Sequence, residues 1–556
     1  MTPKEGQLAA WYQEGKLTRT EFLKVAAGFG LSLSAASFLA ACGSEEDAGG
    51  AAAERLVIAA PATPTTLDPE FSSSPQDREI DVSVYDRFTQ FQVKKEGGIN
   101  VADLKAPPDT LLAESWEREV TPEGISYTFK LRQGVQSFFG NELTTEDVIW
   151  SWDRVFDLQS QGLFPLGVSS VESGSYEALD DYTLRVDLAN QNPLLPIVLA
   201  TPVPGAVIYD STEVKKHTTA DEKWAKNWLA SHTASFGPYH AEEYTPGQQV
   251  VFVANPNYFR GKPAIREIIY KEVPDPANRL TLLQSGQVDI AEDLSAQQRE
   301  TVGDQDNTQV VSVPGNLMIA FGLNNSMAPF DDPRVRQAVA YAVPIDGIIK
   351  TVFFDEPNVR PFKGYVADTF PGYPDYWPYQ QDLEQAKQLL DEAGQGSGSF
   401  ELSYTTTYPE HEKIAQLIRT ELGRVGMEVV LNKLTPAKYQ EQYYQHQAQA
   451  VLVQDAAFVA DAAYPLFLFF GRGDGAVGNW IDYSDPKVQD QIDSALGEPD
   501  LQKREEMAVS ANRSIVDDVP WPMHLGIGFN LPMATSVSGF TWRPHNLIHF
   551  YDLSKS

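Results

Sequence analysis

One cysteine, Cys42, stands among 556 residues. That scarcity excludes an intramolecular disulfide, a CxxC redox pair and a cysteine-based zinc site. Basic residues are also scarce: 43 lysines and arginines face 76 aspartates and glutamates, a net charge of −33. A surface of that sign repels phosphate backbones, so nucleic acid is not an expected partner, and no polybasic membrane patch is implied. The signatures of catalysis are missing as well. No G-x-S-x-G elbow and no G-x-x-x-x-G-K-[ST] loop occurs. His411-Glu412 begins a zinc-protease pattern, but Ala415 stands where the second histidine is required. Gly473 to Gly478 spells G-x-G-x-x-G, yet loop-like residues follow where a dinucleotide site needs a helix. His545 and His549 are four apart without a third ligand nearby, which reads as a polar C-terminal loop or strand. No spacing singles out a catalytic carboxylate pair. The chain is therefore not expected to be an enzyme, and no cofactor or metal is expected.

The length suggests about three or four domains or sub-domains, and 42% hydrophobic residues with 21% charged is a globular composition. Near the N-terminus, Val25 to Ala41 is uncharged and rich in Ala, Gly and Ser, with Lys16, Arg19 and Lys24 before it. This is the grammar of a secretory signal, and it is too short and too rich in glycine and serine for a membrane span. Leu39-Ala40-Ala41-Cys42 resembles the bacterial lipobox, in which the cysteine is lipidated and becomes the first mature residue. The alternative is a buried free cysteine behind an anchor helix. Thr18 to Lys24 resembles a twin-arginine export motif with Thr20 in place of the second arginine, which leaves the export route open. Residues 42–54 are small or acidic and read as a flexible tether.

Periodicity predicts the elements beyond the tether. Arg55 to Ala60, Ile125 to Leu131, Tyr182 to Leu188, Gln249 to Ala254 and Ile265 to Val273 read as strands. Thr144 to Asp157 reads as a helix capped by Thr144 with Asp147 three residues on. Pro276 to Ser285 reads as another, ended by Gly286. Asp332 and Asp382 cap further helices. Phe400 to Thr405, Glu410 to Arg424 and Glu428 to Leu434 form a strand–helix–strand unit, which implies parallel strands. The expected class is α/β.

Several blocks, in order, resemble bacterial extracellular solute-binding protein family 5, the peptide and nickel receptors of ABC transporters. They are Thr66-Leu67-Asp68-Pro69; Leu112 to Glu117 with Tyr127 to Val135; Leu143 to Val148 with Ser151-Trp152; Gly237-Pro238-Tyr239 with Asn255 to Tyr258; Leu283 to Asp289; and Pro329 to Asp332 with Val335 to Ala338. The chain departs from the family pattern at Gln136 to Asn141 and at Phe458, where the family carries tryptophan.

The resemblance implies a two-lobed, hinged periplasmic-binding-protein-like fold (type II, cluster C) with an extra sub-domain in lobe one. The boundaries it suggests are signal 1–41, tether 42–54, lobe one 55–314 with the sub-domain at about 85–170, lobe two 315–515, and a C-terminal segment 516–556 returning to lobe one. It further implies a monomeric, lipid-anchored receptor on the outer face of the membrane. This receptor captures oligopeptides between its lobes and delivers them to an ABC permease. Another solute (an oligosaccharide, an opine-like amine or a nickel complex) or a sensor or chaperone role remains the alternative. Asp461 falls where peptide binders hold the ligand α-ammonium; the alternative for it is a helix cap. Phe458 and Val459 match neighbouring pocket positions, Asn479 and Trp480 a cleft-lining loop. Thr63 and Pro64 precede the opening block, and Met523 and His524 lie where the C-terminal segment reaches the cleft. For all of these, ordinary core or loop packing is the competing reading.

Overall fold

The computed structural model describes residues 54–556 apart from 304, 396, 397 and 474. The signal, the acyl site expected at Cys42 and the tether up to residue 53 lie outside the described residues.

Strand β1 (Arg55–Ala60) opens the body, its last three residues buried. Helix α1 (Pro75–Val84) follows, with Pro75 in its first turn and a capping box between Ser74 and Asp77. A separate four-stranded antiparallel sheet comes next. It contains β2 (Ala113–Thr121), β3 (Gly124–Leu131), β4 (Tyr176–Asp180) and β5 (Thr183–Leu188), in the order β2-β3-β5-β4. Between β3 and β4 lie helices α2 (Thr145–Leu158) and α3 (Leu163–Val168). The alternation of Tyr127, Phe129 and Leu131 buries all three in one core with Val148, Trp152 and Val155 of α2. Thr144 and Asp147 form the expected capping box of α2.

The main sheet has eleven strands. Its first half contains β6 (Tyr239–Thr245), β7 (Gln249–Ala254) and β8 (Glu267–Glu272), paired antiparallel. After helix α4 (Pro276–Gln284) comes β9 (Ile290–Ala291), which runs parallel to β1. Strand β10 (Thr308–Leu323) is sixteen residues long. Helices α5 (Pro333–Ala342) and α6 (Leu383–Glu392) precede β11 (Ser399–Thr405), α7 (Pro409–Arg424) and β12 (Glu428–Leu434). β11 and β12 are parallel, as the pattern predicts, because α7 covers them with Ile414, Ile418 and Leu422. The chain continues with β13 (Ala450–Asp455), α8 (Tyr464–Phe470), α9 (Pro486–Leu496), α10 (Leu501–Asp518) and β14 (Met523–Ala534). The strand order is β6-β7-β8-β1-β9-β14-β10-β13-β11-β12, with Arg360–Pro361 added beside β14.

Within this sheet, the early and late strands meet only through β10 and β14. Thr308 to Val313 pair with Ala534 to Phe529; after a register shift, Leu317 to Phe321 pair with Ile527 to Met523. Pro314 has no N–H for a ladder. A Cβ on Gly315 would stand 2.7 Å from the Ile527 carbonyl oxygen, so only glycine fits at that crossing. β9 joins the ribbon on one side of the break, at Met533, and β13 on the other, from Met318 onward.

Candidate functional site

Strand β13 is buried along Ala450 to Val453 and half-buried at Gln454 and Asp455. The loop 456–463 then leads to α8. Phe458 on this loop touches rings from three segments: Phe164 of α3 at 5.4 Å between centroids, Tyr464 of α8 at 5.3 Å, and His545 near the C-terminus at 6.3 Å. It packs against both the main core and the core of the separate sheet. The early and late parts of the chain therefore meet at Phe458.

Next to it, one Asp455 oxygen accepts the Ala456 N–H at 2.7 Å. Among the described residues no cation comes within ion-pair distance of this carboxylate. Burial pushes it up to about 6, while Arg78 of α1 pulls the other way. Tyr408, Tyr439, Tyr443 and Tyr464 stand around it; burial raises all four phenols, followed by the Asp455 charge for Tyr408, Tyr443 and Tyr464, and by Tyr408 and then Asp455 for Tyr439. The Tyr439 hydroxyl donates to the Leu452 carbonyl at 2.9 Å, whereas the buried Tyr464 hydroxyl has no partner among the described residues. Arg78 is exposed and in no ion pair with the described residues. Burial, and then Arg78, lower the imidazole of His545 to about 3. Neither ring nitrogen of His545 has a partner among the described residues. An anion ringed by phenols thus stands within electrostatic reach of a free guanidinium on another segment. That arrangement can receive one cationic and one anionic or acceptor group.

The residues singled out from sequence fall into three places. Asp461, Phe458 and Val459 share the loop 456–463. Asp461 is 3% exposed, and its carboxylate is fully engaged by the chain. Oδ1 accepts the N–H groups of Ala463 and Tyr464 at 3.0 and 2.8 Å, and Arg504 binds both oxygens at 2.8 Å. The partner that the resemblance assigns to a ligand ammonium is here Arg504, and the capping contacts accompany it. Val459 is fully buried. Trp480 and His524 pack against Trp521 in the main core, while Met523 belongs to the core beneath α5 and α7. Trp480 stacks on Trp521 at 5.9 Å, over Gly322, where a Cβ would meet the ring at 2.1 Å. Met523 pairs with Phe321 across the ribbon. His524 faces the Gly364 carbonyl and Met318 sulfur at 2.6 and 2.8 Å, and burial lowers it to about 4. Asn479 braces its own loop through Gly471 and Tyr483. Thr63 and Pro64 lie at the first-half edge, where Thr63 donates to Glu272 and Pro64 accepts the Tyr244 hydroxyl. The opening block is likewise structural in its contacts: Asp68 accepts from Arg154 and from the Tyr209 hydroxyl, all buried.

Sequence reasoning passed over Asp455, Arg78, Phe164 and Tyr464. One signal was available: a carboxylate closing the apolar run Ala450 to Val453 needs a destination. Arg78 carries no such mark, because an exposed arginine on a helix is ordinary.

Two groups of strands joined by one broken ribbon, with an aromatic meeting point beside it, define a two-lobed hinged binding protein of the periplasmic type, α/β, with an added sub-domain in its first lobe. The sequence places it further. The profile described as "Bacterial extracellular solute-binding proteins, family 5 Middle" matches residues 108–476, and the chain belongs to that family. It is 26% identical over 497 residues to a protein of Escherichia coli K12 named "Probable D,D-dipeptide-binding periplasmic protein DdpA", covering 88% of this chain and 92% of the other. It is equally 26% identical to "Heme-binding protein A" of Haemophilus influenzae, covering 85% and 86%. A periplasmic binding protein of Helicobacter pylori, solved in complex with the peptide STSA, superposes with a TM-score of 0.73 at 22% identity, over 90% of this chain and 98% of the other. The protein is a solute-binding component of an ABC transport system, in a family of extracytoplasmic binding proteins.

Proposed function

We propose that this protein is a lipid-anchored receptor, acylated at Cys42, that closes on oligopeptides and hands them to its ABC permease. The observation that carries the peptide reading is the juxtaposition of Asp455 and Arg78 on separate segments: among the described residues the carboxylate has no cation and the guanidinium no anion in ion-pair contact, and Arg78 acts electrostatically on Asp455 and on His545, a ring neighbour of Phe458. A peptide brings both an ammonium and a carboxylate, besides backbone groups that phenol hydroxyls can bond. Asp461 was the anchor suggested by family resemblance, but its oxygens are already taken by Arg504 and two backbone N–H groups. Asp455 is therefore the better ammonium receptor, with Phe458 as the neighbouring wall. Lobe one corresponds in this reading to the strands on the β9 side of the ribbon break, lobe two to those on the β13 side, and the break at Pro314 to Asn316 is the hinge.

Calorimetry with a free tripeptide and its N-acetylated form tests this. Asp455→Asn should weaken the free peptide by on the order of 100-fold, whereas Asp461→Asn should leave the affinity of the folded fraction nearly intact. Equal binding of both peptides by the wild type would exclude an ammonium anchor. Loss of binding only in the Asp461 variant, with its fold intact, would return the anchor to Asp461. Mass spectrometry of the co-purifying ligand separates peptides from a non-peptide solute, which the name of the Haemophilus relative keeps in view.

A further inference from the structure

A second polar cavity, of about 40 Å³, lies between the end of α1, the turn around Tyr258 and the C-terminal segment. Arg87, Arg260, Arg543 and His549 face it, against Asp86 and Asp552. Most of these groups have partners. Arg543 is paired with Asp552, and Asp86 accepts the Tyr258 hydroxyl at 2.9 Å. Arg260 reaches Gln90 at 3.4 Å and lies over the Tyr551 ring at 5.1 Å. Arg87 differs. It is 5% exposed, yet its Nε and Nη2, one edge of the guanidinium fork, have no hydrogen-bond partner among the described residues. His549 Nε2 beside it also has none.

The cavity lining itself holds three guanidinium groups and two carboxylates, inside a chain of net charge −33; Asp81, behind the wall, also acts on Arg87. A buried guanidinium edge without acceptors is costly, because desolvation is not compensated. The Nε/Nη2 edge matches two oxygens of a planar anion. A neighbouring open cavity of about 320 Å³ shares Gln90, Leu111 and Arg260 with the first and adds Arg132 and Asp109, two guanidinium groups against one carboxylate.

We propose that this cavity binds a small, planar, singly charged oxyanion, held side-on by Arg87 Nε and Nη2 with His549 Nε2 as a third contact. A single charge suits the lining, in which one guanidinium edge, that of Arg87, is left without acceptors among the described residues. The size follows from a volume not far above the roughly 30 Å³ share of one water molecule. The site is separate from the peptide reading and does not depend on it.

Nitrate is the probe. The full chain is exchanged into a buffer of a bulky organic anion and titrated with sodium nitrate, sodium chloride and sodium sulfate at matched ionic strength. One saturable nitrate site is expected, with chloride weaker by at least about tenfold and sulfate silent. Arg87→Gln should lose nitrate binding by about tenfold or more while peptide binding persists. Equal thermal shifts from all three salts in wild type and variant would reduce the effect to surface screening and overturn the proposal; chloride as tight as nitrate would overturn the planar-oxyanion assignment. Should Arg87→Gln not fold, crystals of the wild type grown in nitrate decide: a planar anion on Nε and Nη2 supports the site, and water alone at that edge overturns it.

Discussion

Arg504 grips Asp461 through two parallel hydrogen bonds, Nε to Oδ2 and Nη2 to Oδ1, each 2.8 Å. The remaining guanidinium nitrogen donates to the Ala495 carbonyl at the end of α9, also at 2.8 Å. Asp461 Oδ1 in turn accepts the N–H groups of Ala463 and of Tyr464, the first residue of α8. One carboxylate thus ties α8, α9 and α10 to the loop 456–463.

Breaking this pair should cost more than losing a helix cap. Either Asp461→Asn or Arg504→Met leaves an uncompensated polar or charged group in a buried site, worth about 3–5 kcal/mol, against about 1 kcal/mol for a cap alone. Denaturant unfolding of both variants measures it. A loss of 1 kcal/mol or less in Arg504→Met would mean that the ion pair does not hold the loop.

Acid should weaken the fold through His411. This residue is fully buried on α7, and burial lowers its imidazole to about 3. The unfolded chain takes up the proton near the ordinary 6.5, whereas the folded chain resists it. Stability from this group is therefore present above pH 6.5 and falls as pH drops towards 3, by about one decade of folding equilibrium per pH unit. Urea midpoints of wild type and His411→Leu should diverge as pH falls from 7 to 5, in favour of the variant. Parallel curves would remove His411 from the acid response.

Ligand affinity should respond to acid over the same pH range. Asp455 is pushed up to about 6 by burial, so the free receptor is mostly protonated there well below pH 6. An ammonium ligand favours the ionised form, and binding should therefore tighten as pH rises from 5 to 7, with proton release. Calorimetry in two buffers of different ionisation enthalpy detects that proton. Unchanged affinity across this range would argue against Asp455 as the ammonium receptor.

Closure should be visible in solution. With only β10 and β14 crossing between the two halves of the sheet, rotation at the Pro314 to Asn316 break moves the halves as bodies. Small-angle scattering should show a smaller radius of gyration on saturation with peptide, and an identical curve would count against hinge closure.

The anchor has its own test. Cys42→Ala should abolish lipidation and leave the product soluble or unprocessed, because stable anchoring takes more than one acyl chain on that residue. An unlipidated wild-type protein by intact mass would end the lipobox reading.

Local rules determined most of the elements. The cap at Asp332 with Pro333, the cap at Asp382, the box at Thr144 and Asp147, and the parallel pair around α7 all form where short-range hydrogen bonding and periodicity put them. These effects act over a few residues and are written in neighbouring side chains. The strand expected over Ile265 to Val273 covers Glu267–Glu272, since ends fray where pairing stops. The family, too, was legible, from ordered blocks of motif. What the sequence did not contain was the destination of each polar group. Asp461 and Asp455 are both carboxylates in apolar surroundings, six residues apart in number. Only the tertiary structure sends Arg504 to the first and leaves the second without an ion-paired cation among the described residues, because Arg504 comes from α10 and Arg78 from α1. Trp480 was read as a cleft residue by position, but Gly322 on β10 opens a slot that draws its ring into the core. Partner choice over such separations depends on how helices and strands pack, and packing is a property of the whole chain.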